Sequence, residues 1–324
     1  MKKLLLVLIS LVLVGCANTE TKNSKVENSN GDKVKVGIIQ FAEHVALDRA
    51  REGFVEELKT LGVDADFEVV NVQADMSLIP TTAKKFEGDG VDLIYAIATP
   101  AAQGAQSAVK DIPIIFNAVT DPESAELVAS NENPGANVTG VSDYFSVETQ
   151  LNKFLEIFPE TKSIGILYST GEVNSEAQIK EIKSFADKKG IEIVAQGLST
   201  TNDVAQAINS LVPKIDAYFA IQDNLASSAA TTISKVLMEN KIPSLAGEEG
   251  PVENGMLLTD GIDYNILGKE AAKIAKKIVD GEKTSDIPVV FLQDSTRVVN
   301  KNTAEALNIS DRKDLFERAK EVSK

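Results

Sequence analysis

Few side chains in these 324 residues are of types that do covalent chemistry: there is one His, His44, one Cys, Cys16, and no Trp. A general base at His44 would need a nucleophile beside it. Ser142 and Ser169, which fall near predicted strand ends, sit in no G-x-S-x-G elbow, and no P-loop is present. No catalytic set can be assembled, so the chain is not expected to be an enzyme. The same counts exclude a disulfide framework, a Cys-rich zinc site and a His-rich metal centre. Glu56-Glu57 and Glu248-Glu249 offer oxygen ligands to a hard cation, but no D-x-[DN]-x-[DN]-G loop supports that reading. With 33 Lys+Arg against 48 Asp+Glu and a net charge of −15, the chain also lacks the basic footprint of nucleic-acid binding. Neither a cofactor, a metal nor a nucleic-acid partner is expected.

Cys16 has a different chemistry. Met1-Lys2-Lys3 is a short basic start, Leu4 to Val14 is an almost unbroken apolar run, and Leu13-Val14-Gly15-Cys16 closes it. The run is too short to span a bilayer, which takes about 20 residues, and reads as a signal peptide over 1–15. Its end resembles the bacterial lipobox, in which cleavage precedes the Cys and the sulfur receives a diacylglycerol. Two acyl chains hold a domain at a membrane surface at about 0.8 kcal/mol per buried CH₂. The expected localisation is therefore outside the cytoplasm, lipid-anchored to the outer face of the cell membrane. Residues 16–32 are rich in Asn, Thr, Ser, Lys, Glu and Gly, cannot bury enough apolar surface to fold, and read as a tether.

The elements that must position any site begin near Lys33. Strands are predicted at 34–40, 66–72, 92–98, 113–117, 137–140, 163–168, 191–196, 216–221, 242–246 and 256–259. Most are continuous apolar runs, as in parallel sheets covered on both faces. Amphipathic stretches at 46–61, 78–88, 175–189, 202–211, 226–239 and 266–279 alternate with them, which is an α/β order. The chain also repeats itself. Val36-Gly37-Ile38-Ile39 aligns with Ile164-Gly165-Ile166-Leu167, and Val91-Asp92-Leu93-Ile94-Tyr95-Ala96-Ile97 aligns with Ile215-Asp216-Ala217-Tyr218-Phe219-Ala220-Ile221. Two similar doubly wound lobes with one crevice between them follow. The expected division is 33–142 plus 263–290 for lobe 1 and 143–262 plus 291–324 for lobe 2, with hinge crossings near 142–145, 260–264 and 288–292.

In open α/β sheets a ligand sits beyond the carboxyl ends of the strands. That rule selects Gln40, Phe41 and His44; the segment from Thr99 through Pro100, Ala101 and Ala102; Asn117; Ser142, Asp143 and Tyr144; Asp223 and Asn224; and Glu248. At this point the chain resembles the substrate-binding lipoproteins of ABC importers, of the type I periplasmic-binding-protein fold, and within them the family that includes tryptophan- and tyrosine-binding members. The residues that carry the resemblance run from Gly37 to His44, Ala96 to Gln103, Pro134 to Asp143, Gln222 to Asn224, Gly247 to Glu249 and Gly261 to Tyr264. The resemblance adds Asp263 and Tyr264 to the site. It implies an ABC permease and ATPase as partners, a small-molecule ligand that is an aromatic amino acid (tryptophan, tyrosine or phenylalanine), and a monomer.

The chemistry of these positions fits a zwitterionic amino acid. Thr99 to Ala102 should open a helix whose free N–H groups and dipole favour a carboxylate, with the Thr99 hydroxyl as a further donor. Asp223 is expected to take the ammonium group, shared with Asp143 or Glu248. Phe41, Tyr144 and Tyr264 are candidates for aromatic walls. The expected mechanism is capture by lobe closure, with the closed form recognised by the permease. Alternatives are a surface sensor or adhesin on the same fold, and a non-aromatic ligand such as a branched-chain amino acid, a sugar or a nucleoside.

Overall fold

The computed structural model describes residues 33–323; the signal peptide, Cys16 and the tether expected over 16–32 lie outside them. The strands are β1 (Val34–Gln40), β2 (Ala65–Asn71), β3 (Leu93–Ile97), β4 (Ile114–Val119), β5 (Val138–Ser142), β6 (Ser163–Ser169), β7 (Glu192–Leu198), β8 (Ala217–Ala220), β9 (Ser244–Glu248), β10 (Leu258–Ile262), β11 (Val290–Phe291), β12 (Thr296–Asn300) and β13 (Lys320–Val322). The helices are α1 (Val45–Thr60), α2 (Leu78–Asp89), α3 (Thr99–Ala108), α4 (Val147–Ile157), α5 (Val173–Lys189), α6 (Val204–Leu211), α7 (Asn224–Ser228), α8 (Ala230–Glu239), α9 (Glu249–Glu253), α10 (Tyr264–Val279), α11 (Lys301–Ala306) and α12 (Lys313–Phe316).

They form two sheets, ordered β11-β5-β4-β3-β1-β2 and β13-β12-β10-β9-β8-β6-β7. Within them β2-β1-β3-β4-β5 and β7-β6-β8-β9-β10 have the same order, so the sequence repeat is one five-stranded unit built twice. Its aligned residues do the same work in both copies. Asp92 accepts the Lys35 N–H at 2.8 Å, and Asp216 accepts the Lys162 and Ser163 N–H groups at 3.0 Å, each tying the end of a neighbouring strand. The central strands are buried throughout, as both-face coverage demands, while the edge strands β2 and β7 are half-exposed.

The chain passes between the sheets between Ser142 and Val147, at Asp263, and between Phe291 and Thr296. Each passage delivers an element to the other unit. After β5, α4 packs against α5 and β10; after β10, α10 packs along α1 and beside β4 and β5. Three details depart from the sequence expectation. Helix α4 was not anticipated, although Val147, Leu151, Phe154 and Ile157 bury one face and the Ser146 hydroxyl caps it from Thr149 N–H at 3.2 Å. The helix expected over 226–239 is broken at Ala229 into α7 and α8. The tail, for which no strand was expected, supplies β12 and β13 with α11 between them, and β12 runs antiparallel to β10 because the chain re-enters from the opposite end.

Candidate functional site at the interlobe crevice

The carboxyl ends of both sheets face one narrow crevice, closed down to a volume of about 10 Å³. Its walls are His44, Leu47, Ala118, Asp143 and Tyr264 on one side and Asn174, Gln222, Asp223, Asn224, Ser227 and Glu248 on the other. The lobes touch around it. His44 Nε2 lies 3.1 Å from Asn224 Oδ1. Arg49 on α1 donates to Glu253 on α9 at 2.6 Å and pairs with Glu249. The backbone is strained at this edge, with φ of 85° at Ala98 and 55° at Ala118, conformations that side-chain-bearing residues keep only when the surroundings impose them.

Asp223 is fully buried at the start of α7, and both its oxygens are occupied. Ser169 N–H and the Ser175 hydroxyl each donate to it at 2.6 Å, and Ala226 N–H at 2.8 Å. It therefore holds the β6–α5 loop to α7, with both oxygens engaged by protein donors. Glu172 stands beside it, accepting the Asn224 side chain and backbone N–H. Burial and then the Asp223 charge push the Glu172 carboxyl up to about 8.

Four crevice atoms are buried without a partner: His44 Nδ1, Asp143 Oδ1, Asn174 Oδ1 and Glu248 Oε1. All four are acceptors. The Asn224 amide donates to Glu172, so its oxygen faces His44 and the Nε2 there carries the proton, leaving Nδ1 as a lone pair. Asn174 Nδ2 donates to the Gln222 carbonyl at 2.9 Å, which fixes its oxygen toward the crevice. Burial holds His44 below its usual value, raises Asp143, and pushes Glu248 up to about 8. Tyr264 donates its hydroxyl to Asp143, and Glu248 accepts Gly250 N–H at the start of α9.

The other expected residues sit nearby with different tasks. Gln40 is buried and bonds Ala42 O, Asp48 and Arg51. Phe41 is 2% exposed and belongs to the lobe core. Thr99, Pro100, Ala101 and Ala102 open α3 but do not line the crevice; Pro100 has no N–H and Ala102 N–H is taken by Ala98 O, so fewer amides are free than expected. The Thr99 hydroxyl has no partner. Asn117 donates to the Tyr95 hydroxyl at 2.6 Å. Ser142 accepts Tyr144 N–H and shapes the first passage, Tyr144 donates to Glu181 from a neighbouring groove, and Asp263 caps α10. Sequence reasoning missed Glu172, which precedes α5, and Asn174 in the first turn of α5, both just beyond the end of β6, and also Ser227 one turn into α7.

A family described as ABC transporter substrate binding protein matches residues 35–323. A tyrosine-binding protein of Clostridioides difficile (strain R20291) is 43% identical over 322 residues, covering 95% of this chain and 93% of that protein. The structure of an ABC domain in complex with L-Trp from Streptococcus pneumonia is 34% identical, with a TM-score of 0.85, covering 90% of this chain and all of that one. A ligand-free, open substrate-binding protein with adhesive properties from Clostridium difficile is 44% identical over 89% of this chain and 99% of its own, yet its TM-score is 0.68. The lower score at higher identity agrees with the closed lobe arrangement found here.

Proposed function

The chain belongs to the ABC transporter substrate-binding protein family and has its type I periplasmic-binding-protein fold, and from that premise we propose that its crevice captures an aromatic amino acid, tyrosine or tryptophan, by lobe closure. The observation that carries this reading is the set of four unpartnered acceptors at His44, Asp143, Asn174 and Glu248, in a lining with no Lys or Arg. Buried acceptors left unbonded cost about 1–3 kcal/mol each, more for charged groups, so a ligand rich in donors is required. An ammonium group brings three N–H donors, and a phenol hydroxyl or indole N–H brings the fourth. We assign the ammonium to Asp143 and Glu248, whose open oxygens face the crevice. The binding properties printed for the two relatives support the aromatic side chain.

In this reading the protein binds without catalysis, exported and tethered outside the cell through lipid on Cys16, and passes its ligand to an ABC permease and ATPase as a monomer. Because the chain has no Trp, tryptophan fluorescence on titration tests capture against almost no protein background. A blue-shifted, saturable emission is expected, and calorimetry then ranks tyrosine, phenylalanine and leucine. Binding of a sugar or nucleoside with no response to any amino acid would overturn the assignment. A second reading, surface adhesion, draws on the adhesive properties of the open relative. Loss of cell attachment, with unchanged growth on limiting amino acid, in a deletion strain would favour it.

A further inference from the structure

We propose that ligand capture is a proton exchange: the incoming ammonium group displaces one proton held by the Asp143–Glu248 pair, and that proton leaves to solvent. The proposal rests on the ammonium reading above and adds its regulation. Asp143 is 2% exposed and Glu248 3% exposed, each has one oxygen with no partner, and both face the same crevice. Two neighbouring buried carboxylates without a cation do not both stay ionised.

Among the described residues no Lys or Arg pairs with either carboxylate, though the Arg49 charge lowers Glu248 without outweighing its burial. From α1, His44 is held neutral by burial, and Arg49 is engaged by Glu249 and Glu253. Glu249 also takes Lys320 of β13 at 3.0 Å. From the far wall come only the acids Asp223 and Glu172. From α10, Tyr264 donates its hydroxyl to Asp143, whereas Glu248 has no side-chain donor, and on that difference the shared proton is placed on Glu248. Burial above all, helped by the Asp143 charge, keeps it there against the Gly250 N–H and the Arg49 charge.

The step balances without another reactant. The Glu248 O–H bond breaks, its proton passes to water, and the carboxylate formed pairs with the ligand's ammonium, so one positive charge replaces another. Binding then favours deprotonated Glu248, and affinity rises with pH below the free-state value of that group. Between about pH 6 and 7 the association constant should increase about tenfold per unit, with about one proton released per ligand.

Calorimetry on the full chain with L-tyrosine and L-tryptophan, in two buffers of different ionisation enthalpy, reads the proton directly. Buffer-dependent heats equal to about one proton near pH 6.5, and loss of that dependence in Glu248→Gln, are expected. Heats that are identical in both buffers, with affinity flat in pH, would overturn the exchange while leaving ligand capture intact. If neither amino acid gives heat, the ligand reading fails instead. Carboxyl carbon NMR of the ligand-free protein then decides the proton separately. One carboxyl titrating well above the ordinary range, absent in Glu248→Gln, supports it; ordinary titration of every carboxyl overturns it.

Discussion

Asp223 and Glu248 are both buried acids at strand ends of the second lobe, yet their oxygens face different demands. Three donors from the protein surround Asp223, so Asp223→Ala should destabilise the fold by on the order of 3 kcal/mol, read as a lowered midpoint in urea unfolding. Glu248 keeps an oxygen unbonded, so Glu248→Gln should leave the midpoint near that of the parent at pH 7. It should nevertheless weaken tyrosine binding by about 30-fold or more, as expected when one partner of a desolvated charge pair is removed. Equal unfolding effects for the two variants would show that the carboxylates are not divided in this way. Asn117 is another site where packing decides the role: its amide is tied to Tyr95, whose ring stacks on Phe54 at 3.9 Å and whose hydroxyl reaches Ala50 O.

At the scale of elements, α1 and α10 are the pair that the crevice depends on, since His44 and Arg49 ride on one and Tyr264 on the other. The two helices approach closely because glycine sits at the crossing. A Cβ at Gly268 would overlap the Ala50 carbonyl oxygen, and one at Gly53 would overlap that of Asn265. Gly268→Ala should therefore force the helices apart and lower the thermal midpoint of the protein, with a cost of about 1–3 kcal/mol typical of overpacking. Helix α1 also bridges the lobes through Arg49 and the acids of α9. Arg49→Ala removes that link without touching the lining of the crevice. It should raise the ligand-free radius of gyration in small-angle scattering and reduce ligand affinity about fivefold, the order of one partly buried ion pair. An unchanged scattering profile would mean that the link does not bias closure.

For the whole molecule, closure brings together acids that are cheaper to bury protonated. Glu172 and Glu248 are each pushed up to about 8 in the fold, above their ordinary value, chiefly by burial. A carboxyl raised on folding contributes stability that is intact below its unfolded pKa and is lost as pH rises toward the folded one. The ligand-free protein should thus melt at a higher temperature near pH 5 than near pH 8, each such group changing stability by at most about 1.4 kcal/mol per unit across that window. Glu172→Gln should flatten the profile, and a wild-type midpoint that rises toward pH 8 would contradict it. Saturating ligand should restore part of the loss at the higher pH by pairing Glu248.

The sequence by itself determined the class of fold and its duplication. Continuous apolar strands and the aligned pairs Gly37 with Gly165 and Asp92 with Asp216 are local patterns, and local patterns are readable because backbone geometry repeats every two or 3.6 residues. The carboxyl-end rule likewise reached His44, Asp143, Asp223, Asn224 and Glu248, and the family resemblance reached Tyr264, all of which line the crevice. Tertiary structure alone decided what each does there. Whether a carboxylate is saturated, as at Asp223, or left open, as at Glu248, depends on donors some 50 residues away such as Ser169 and Ser175. Asn174 and Glu172 enter the site only because β6 turns into α5 against α7. The physical reason is that periodicity reports which way a residue faces, whereas hydrogen-bond partnership is set by the single arrangement in which distant loops meet.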